Sequence, residues 1–230
     1  GGCISPLPAA KHSQFNLIFG SDKESISITD ILELPNGDLW FASWGIGVRT
    51  VDKFLTPITN DLYKQPVPST WSKSAIGATK LTWSLCRESA TGIIWIGCNE
   101  GVLLKHDPVK KTTEYFQLPV FNKSTIRYIA EDSHGQLWFG TQGGQLIKYV
   151  NKEFTLVQEI GTIIYKVFFD KQGIIWLATH EKGLYEVDPA SGRIIRHFTA
   201  EDKANNLYGN TGYDVEQLND STIIYGAGAM

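Results

Sequence analysis

The sequence predicts an all-β fold, a β-propeller arc of four-stranded antiparallel blades with about four full blades and a partial fifth. The main observation is a recurring phrase, in which an apolar run and a Gly turn precede a Trp, an apolar residue and a small residue. Four copies contain Trp40, Trp95, Trp138 and Trp176, and a degenerate fifth copy has Tyr225 at the Trp position. These positions are 55, 43, 38 and 49 residues apart. A period of about 40–50 residues built from short strands is typical of propellers, with one blade per repeat.

Each repeat divides into four predicted strands. An alternating segment before the Gly turn supplies the innermost strand, the Trp phrase supplies the second, and two further strands follow another Gly-containing turn. No stretch keeps a helical period over several turns, so negligible helix is expected. The predicted blades lie near residues 28–52, 82–118, 126–159 and 164–199, with a partial fifth at 212–230, in a propeller region 15–230 that follows an N-terminal tail, 1–14.

The residue two places after each Trp position is small. These residues are Ala42, Gly97, Gly140, Ala178 and Ala227. We interpret them as points where neighbouring blades approach closely, and the four repeat Trp residues as core side chains that each bury about 150–250 Å².

The blade count predicts an open arc that is a fragment of a larger propeller. Phe15–Phe19 is expected to be an isolated outer strand, of the kind that completes the last blade of a closed ring. An open arc exposes strand edges, which pair readily with another chain. A homodimer, or self-association through the propeller edges, is therefore an expected form of partnership.

Composition argues against several classes of protein. The net charge is −3 and no basic stripe occurs, so nucleic-acid binding by this segment is not expected. There is no run of about 20 apolar residues, and we expect no membrane span in it. Of the three Cys residues, Cys86 and Cys98 are predicted to be buried free thiols. Cys3 is interpreted as an exposed spare cysteine in preference to the acylated cysteine of a lipoprotein.

Residues with catalytic or metal-binding patterns are few. The five His residues have no metal-ligand spacing, and no H-E-x-x-H, G-x-S-x-G, phosphate-binding loop or C-x-x-C motif occurs. We therefore expect no catalytic residue, no metal, no cofactor and no enzymatic activity in this segment. His180 and Glu181 follow the fourth Trp phrase, where lyase-type and hydrolase-type propellers keep catalytic groups, so an enzyme stays an alternative.

A candidate ligand site follows from the blade register. At the entry to the innermost strand, successive repeats carry Thr29, Trp83, Arg127, Tyr165 and Tyr213. Innermost strands surround the channel of a propeller, so we expect these side chains to converge at one channel mouth. Aromatic faces stack on the apolar faces of sugar rings, and Arg donates paired hydrogen bonds to hydroxyl or carboxylate groups. The alternative is that the five side chains plug the channel and pack on one another.

Turn residues on the same face are expected to form a second ring around that mouth. They are Trp44, Asn99, Gln142, His180 and Glu181. Trp71 lies in the longest irregular segment, 54–80, and has no role in the repeat. Two interpretations of Trp71 are open: a lid or partner contact that belongs to the ligand site, or local packing over the loop.

Two phrases resemble a known repeat. Ala130–Thr141 and Gly183–Asp188 are similar to the two-component regulator propeller repeat. The resemblance extends over the chain from about Phe15 onward. It is weaker in the first blade, where Trp44–Gly47 replaces the usual acidic-Gly turn, and weakest in the fifth, which lacks the Gly and the Trp.

This resemblance implies the periplasmic sensor region of a hybrid two-component system protein of the Bacteroides type. In that family the propellers precede a β-sandwich, a membrane helix and a cytoplasmic histidine kinase, and the sensor regions typically recognise polysaccharide fragments. The implied function is extracytoplasmic sensing of an oligosaccharide, with signalling to a kinase outside this chain. The alternative is a protein-interaction scaffold without a small ligand, and a lyase-type enzyme is the third hypothesis.

Overall fold

The computed structural model describes residues 3–4, 16–17, 26–203 and 207–228. These residues form a nearly all-β protein, as predicted, in which antiparallel blades follow one another in chain order. Within each blade the strands are arranged sequentially, and the innermost strand of each blade contacts the innermost strand of the next. This arrangement is a β-propeller, and the innermost strands face a common centre.

The strands are numbered in chain order. Ahead of the blades lie β1 at Cys3–Ile4 and β2 at Asn16–Leu17. The first blade contains β3–β6, at Ser27–Glu33, Leu39–Trp44, Arg49–Val51 and Pro57–Ile58. The second contains β7–β10, at Thr82–Arg87, Ile94–Cys98, Val102–Asp107 and Thr112–Gln117. The third contains β11–β14, at Ile126–Glu131, Leu137–Thr141, Gln145–Val150 and Glu153–Glu159. The fourth contains β15–β18, at Ile164–Phe169, Ile175–Thr179, Leu184–Val187 and Ile194–Phe198. The fifth, as far as the structure describes it, contains β19 and β20, at Gly212–Asn219 and Thr222–Ala227.

Helix is minimal, as predicted. One short helix, α1 at Lys73–Ala78, lies in the long connection between the first two blades. Ser72 begins it, because its Oγ accepts the backbone N–H of Ala75 at 3.1 Å. Short 3₁₀ turns occur at Asn99–Gly101 and Pro119–Phe121. Among the described residues, no helix has the length and apolar character needed to cross a membrane.

The repeat Trp residues are buried, and in the second to fourth blades each indole N–H is paired with a carboxylate. Trp138 Nε1 donates to Asp132 at 2.9 Å, and Trp176 Nε1 donates to Asp170 at 2.9 Å. The other oxygen of each Asp accepts two backbone N–H groups of the turn that follows it. One carboxylate therefore holds both the hairpin turn and the Trp ring.

Small residues bring neighbouring blades together. A Cβ added to Gly140 would lie 2.7 Å from Ile164 Cγ2 on the next innermost strand, and one added to Gly97 would lie 2.7 Å from Ile126 Cγ2. Such contacts are far inside ordinary van der Waals distance, so a larger side chain would push the blades apart. The predicted close approach is confirmed at these two blade pairs.

The core Trp of the fourth blade is covered less completely by the following blade than the core Trp of the second blade is. Trp95 is packed by Tyr149 and Phe154, on the third and fourth strands of the next blade, with ring centroids 5.1 and 6.2 Å away. In the fifth blade the described residues supply two strands, and a cavity of about 500 Å³ lies beside Trp176 and Phe198. Self-association through the strand edge of this fifth blade stays a prediction.

The segment Phe15–Phe19 is described at Asn16–Leu17, and the rest of it lies outside the described residues. Asn16–Leu17 pairs antiparallel with Cys3–Ile4. Among the described residues these two strands form a separate two-stranded sheet, so Asn16–Leu17 is not isolated, as had been predicted, but paired with β1.

The thiols of the second blade are free, as predicted, but only Cys98 is fully buried and Cys86 is partly exposed. Cys86 pairs opposite Trp95 in the hairpin and does not face Cys98, which excludes a disulfide between them. Burial raises the pKa of Cys86 to about 12. The side chain of Cys3 lies outside the part of the chain that the structure describes.

Replacing the carboxylate of the third hairpin should destabilise the fold. We expect Asp132→Ala to lower the free energy of unfolding by about 1–3 kcal/mol, because a buried indole N–H and two turn N–H groups lose their acceptor. The matched control is Asp220→Ala, which removes an exposed carboxylate paired with Lys171 and should leave stability unchanged. Urea denaturation measures both variants, and equal stability of the two would contradict the assigned role of Asp132.

Candidate functional site

A β-bulge at the same point of each innermost strand positions the candidate site. In the third blade Ile126 pairs with Thr141 and Tyr128 pairs with Gly140, so Arg127 has no partner in the ladder. The same interruption occurs in the other described blades. The unpaired residues there are Thr29, Trp83, Tyr165 and Tyr213. A bulge bends its strand and re-aims the side chain, and here it turns each of the five bulge residues toward the centre.

The bulge residues surround a central cavity of about 710 Å³. All five of them line it, together with Trp44 from the turn after the second strand of the first blade. The structure thus brings together the side chains that the register placed at one mouth. That they bind a ligand stays a prediction.

Four of the bulge residues form a continuous stacked row. The guanidinium carbon of Arg127 lies 3.7 Å from the ring centroid of Trp83 and 5.3 Å from that of Tyr165. The rings of Tyr165 and Tyr213 follow, with centroids 5.0 Å apart. Thr29 is outside the row, because its hydroxyl donates to the backbone carbonyl of Thr82 at 2.8 Å and joins the first two blades.

Arg127 is a half-buried cation in the middle of this row. Burial lowers its pKa, and the nearby Tyr165 opposes that shift. Within the described residues Arg127 forms no ion pair, and its guanidinium donates no hydrogen bond. As far as the structure describes the chain, the charge of Arg127 is stabilised by ring faces alone.

A second layer of residues, most of them charged, lines the cavity beside the row. Lys166 Nζ lies 2.9 Å from Asp214 and 3.2 Å from Glu216. Burial acts to lower the pKa of Lys166, but the hydrogen bond to Asp214 and the neighbouring Tyr128 outweigh it and raise the pKa overall. Asp30 accepts the backbone N–H of Leu85 at 2.7 Å, and burial raises its pKa.

The residues of this second layer were not predicted as site residues. They are Asp30, Tyr128, Lys166 and Asp214, and all four line the cavity. Each directly follows a bulge residue in the sequence. A strict two-residue alternation assigns them to the opposite face, but a bulge places two consecutive residues against one partner and breaks that alternation. The signal available in the sequence was that each of them occupies the same position in its repeat, directly after the strand-entry residue.

The predicted second ring is partly assembled. Trp44 lines the cavity and is 53% exposed. His180 lies behind the row, edge-on to Tyr165 with ring centroids 6.0 Å apart, and its Nε2 is 3.6 Å from Glu181. Asn99 accepts the indole N–H of Trp83 and so orients that ring.

Trp71 does not line the cavity. It packs edge-on against Tyr115, with ring centroids 6.3 Å apart, beside the apolar core between the first two blades. Its position corresponds to local packing over the loop, the second of the two interpretations.

Comparison with protein families identifies one repeat. Residues 121–143, which include Arg127 and Trp138, match the model of the two-component regulator propeller. This segment of the third blade is therefore similar to that repeat. This repeat covers the innermost and second strands of the third blade, the pair that supplies the Arg127 bulge and the Asp132–Trp138 hydrogen bond. A comparison with curated proteins gave no match.

Solved structures share the fold. The chain is similar to the extracellular domain of a protein described as a hybrid two-component system from B. thetaiotaomicron, with 22% identity and a TM-score of 0.66, over 86% of this chain and 25% of that one. It is similar to virginiamycin B lyase from Staphylococcus aureus, with 13% identity and a TM-score of 0.62, over 85% of this chain and 61% of that one. A third similar structure is the extracellular domain of a one-component system from B. thetaiotaomicron, with 16% identity and a TM-score of 0.54, over 93% and 34%. At these identities the likeness establishes the fold.

Bulge residues and repeat Trp residues should differ in their effect on stability. We expect Trp83→Ala, Arg127→Ala and Tyr165→Ala to leave the fold largely intact, because these half-buried side chains line a cavity. Trp138→Ala should lower the free energy of unfolding by about 3–5 kcal/mol, as loss of a buried Trp generally does. Urea denaturation followed by circular dichroism compares the two sets. If the cavity variants lose as much stability as Trp138→Ala, the bulge residues are structural plugs.

Proposed function

We propose that this chain is the extracytoplasmic, ligand-sensing propeller segment of a hybrid two-component regulator, located in the periplasm, and that it binds an oligosaccharide in the central cavity. Occupancy of the cavity is passed to a kinase outside this chain. The observation that carries the proposal is the convergence of five bulge residues on a cavity of about 710 Å³. The two-component regulator propeller repeat in the third blade supports it. The proposal assigns no catalytic residue, metal or cofactor.

The lining of the cavity has the chemistry that a sugar requires. Trp44 and Tyr213 are 53% and 58% exposed, so their ring faces are open for stacking on the apolar face of a pyranose. Asp30, Lys166 and Asp214 offer donors and acceptors to hydroxyl groups from the second layer. The volume lies in the range of about 300–1,000 Å³ that is usual for small-molecule sites.

A protein-interaction scaffold is the second candidate function. It is favoured by the edge of β20, which has no further strand beside it in the described residues, and by the adjoining cavity beside Trp176 and Phe198. A partner chain can add a strand to such an edge. The likeness to virginiamycin B lyase supports the fold and transfers no active-site residue to this chain.

Removing an exposed cavity ring should weaken ligand binding. We expect Trp44→Ala and Tyr213→Ala each to raise the Kd for the bound oligosaccharide at least about tenfold, equal to about 1.4 kcal/mol, because a stacking surface is lost. Screening the full-length protein on a glycan array identifies the ligand, and isothermal titration calorimetry measures the Kd.

The matched control is Phe54→Ala, which removes an aromatic side chain that is 76% exposed and lies outside the cavity. It should bind like the wild type. If no glycan on the array binds and a pull-down recovers a protein partner, the scaffold function is favoured. An equal loss of affinity in all three variants would show that the ligand does not bind in the central cavity.

A further inference from the structure

We infer that the ligand of the central cavity is an anionic oligosaccharide, and that Arg127 binds its oxyanion, the carboxylate of a uronic acid or a sulfate ester. The inference rests on the proposed function and specifies the class of sugar. Two features support it: the geometry of the stacked row, and the protein partners that the other charged lining residues already have among the described residues.

The stacking of Arg127 determines which of its atoms are available. Trp83, at 3.7 Å from the guanidinium carbon, and Tyr165, at 5.3 Å, contact the cation through their rings. A guanidinium that stacks on a ring keeps its N–H donors in its own plane, directed away from the ring. Since Arg127 lines the cavity and its guanidinium donates no hydrogen bond to other described residues, these donors are available to a ligand.

The other charged groups of the cavity already have partners. Lys166 is held between Asp214 and Glu216, at 2.9 and 3.2 Å. Asp30 accepts backbone N–H groups from Leu85 and from its own neighbour, at 2.7 and 2.8 Å. Each of these groups thus has a polar or charged partner within the protein. Among the described residues that line the cavity, Arg127 is the charged group without an ion pair or hydrogen-bond partner, so it is the one that a ligand can pair with.

An oxyanion satisfies this site better than a hydroxyl group does. Two coplanar N–H donors match the two oxygens of a carboxylate or of a sulfate, and such charge-assisted pairs are about twice as strong as neutral hydrogen bonds. Partial burial strengthens the attraction further, because less water screens it. A neutral sugar would leave the cation half-buried and uncompensated.

The first test compares ligands on the unaltered full-length protein. On an array that holds neutral glycans, hexuronate oligosaccharides and sulfated galactans, the retained glycans should be anionic. Each retained glycan is then neutralised, by reduction of the carboxyl group or by removal of the sulfate. Neutralisation should raise the Kd by about 30-fold or more, and the reaction that does so identifies the oxyanion.

The second test uses the side chain. Arg127→Gln should raise the Kd for the retained anionic glycan by about 30-fold or more and that for its neutralised form by less than about twofold. Arg127→Lys keeps the charge without the planar fork and should fall between the wild type and the Gln variant. The matched control is Arg193→Gln, at an exposed turn outside the cavity, which should bind both forms like the wild type.

The outcomes separate this inference from the proposed function. Retention of neutral glycans, equal affinity for both forms of a glycan, or an equal effect of Arg127→Gln on both forms would overturn the inference and leave oligosaccharide sensing in place. Retention of no glycan of any kind would overturn the proposed function itself.

Discussion

The hydrogen bond between a hairpin carboxylate and a buried indole is the interaction on which the rest of this structure depends. Trp138 lies in the core between blades, where an indole N–H without an acceptor would cost about 1–3 kcal/mol. Asp132 supplies that acceptor and also binds the backbone of its own turn, so the turn, the Trp ring and the register of the strand pair are fixed together. In the second blade Glu88 takes the place of the Asp, seven residues before its Trp instead of six, and the longer side chain spans the longer turn.

The position of the candidate ligand site follows from that register. Once the second strand is fixed, its small residue faces the next blade, as Gly140 faces Ile164. The bulge on the innermost strand lies opposite this same point, between the partners of Gly140 and Thr141. The fourth blade repeats the arrangement at Ala178. The packing that brings blades together and the bulge that turns a side chain to the centre are thus set by one stretch of strand.

The fold and the strand-entry positions could be predicted from the sequence because both recur with the repeat. The Trp phrase marks each second strand, and counting back from it locates Arg127 and its equivalents. The second layer was not predicted, since strict alternation assigns a residue such as Lys166 to the other face and the bulge that overrides this alternation is visible only in the structure. Helix α1 was also not predicted, because six residues are too few to show a helical period. Its stability comes from the Ser72 cap and from packing of its buried residues.

The pairing of charges in the row favours the proposed binding site over a channel plug. A plug packs its side chains on one another and pairs its charges within the protein, as Lys166 is paired with Asp214. Arg127 has ring contacts on its faces and, among the described residues, no anionic partner at its edge, while Trp44 and Tyr213 remain more than half exposed. Holding a half-buried cation without an anion costs stability that a neutral side chain of similar size would not. In the proposed function that cost is recovered when an anion enters the cavity, and this is why we favour a ligand-binding role for the row over a channel plug.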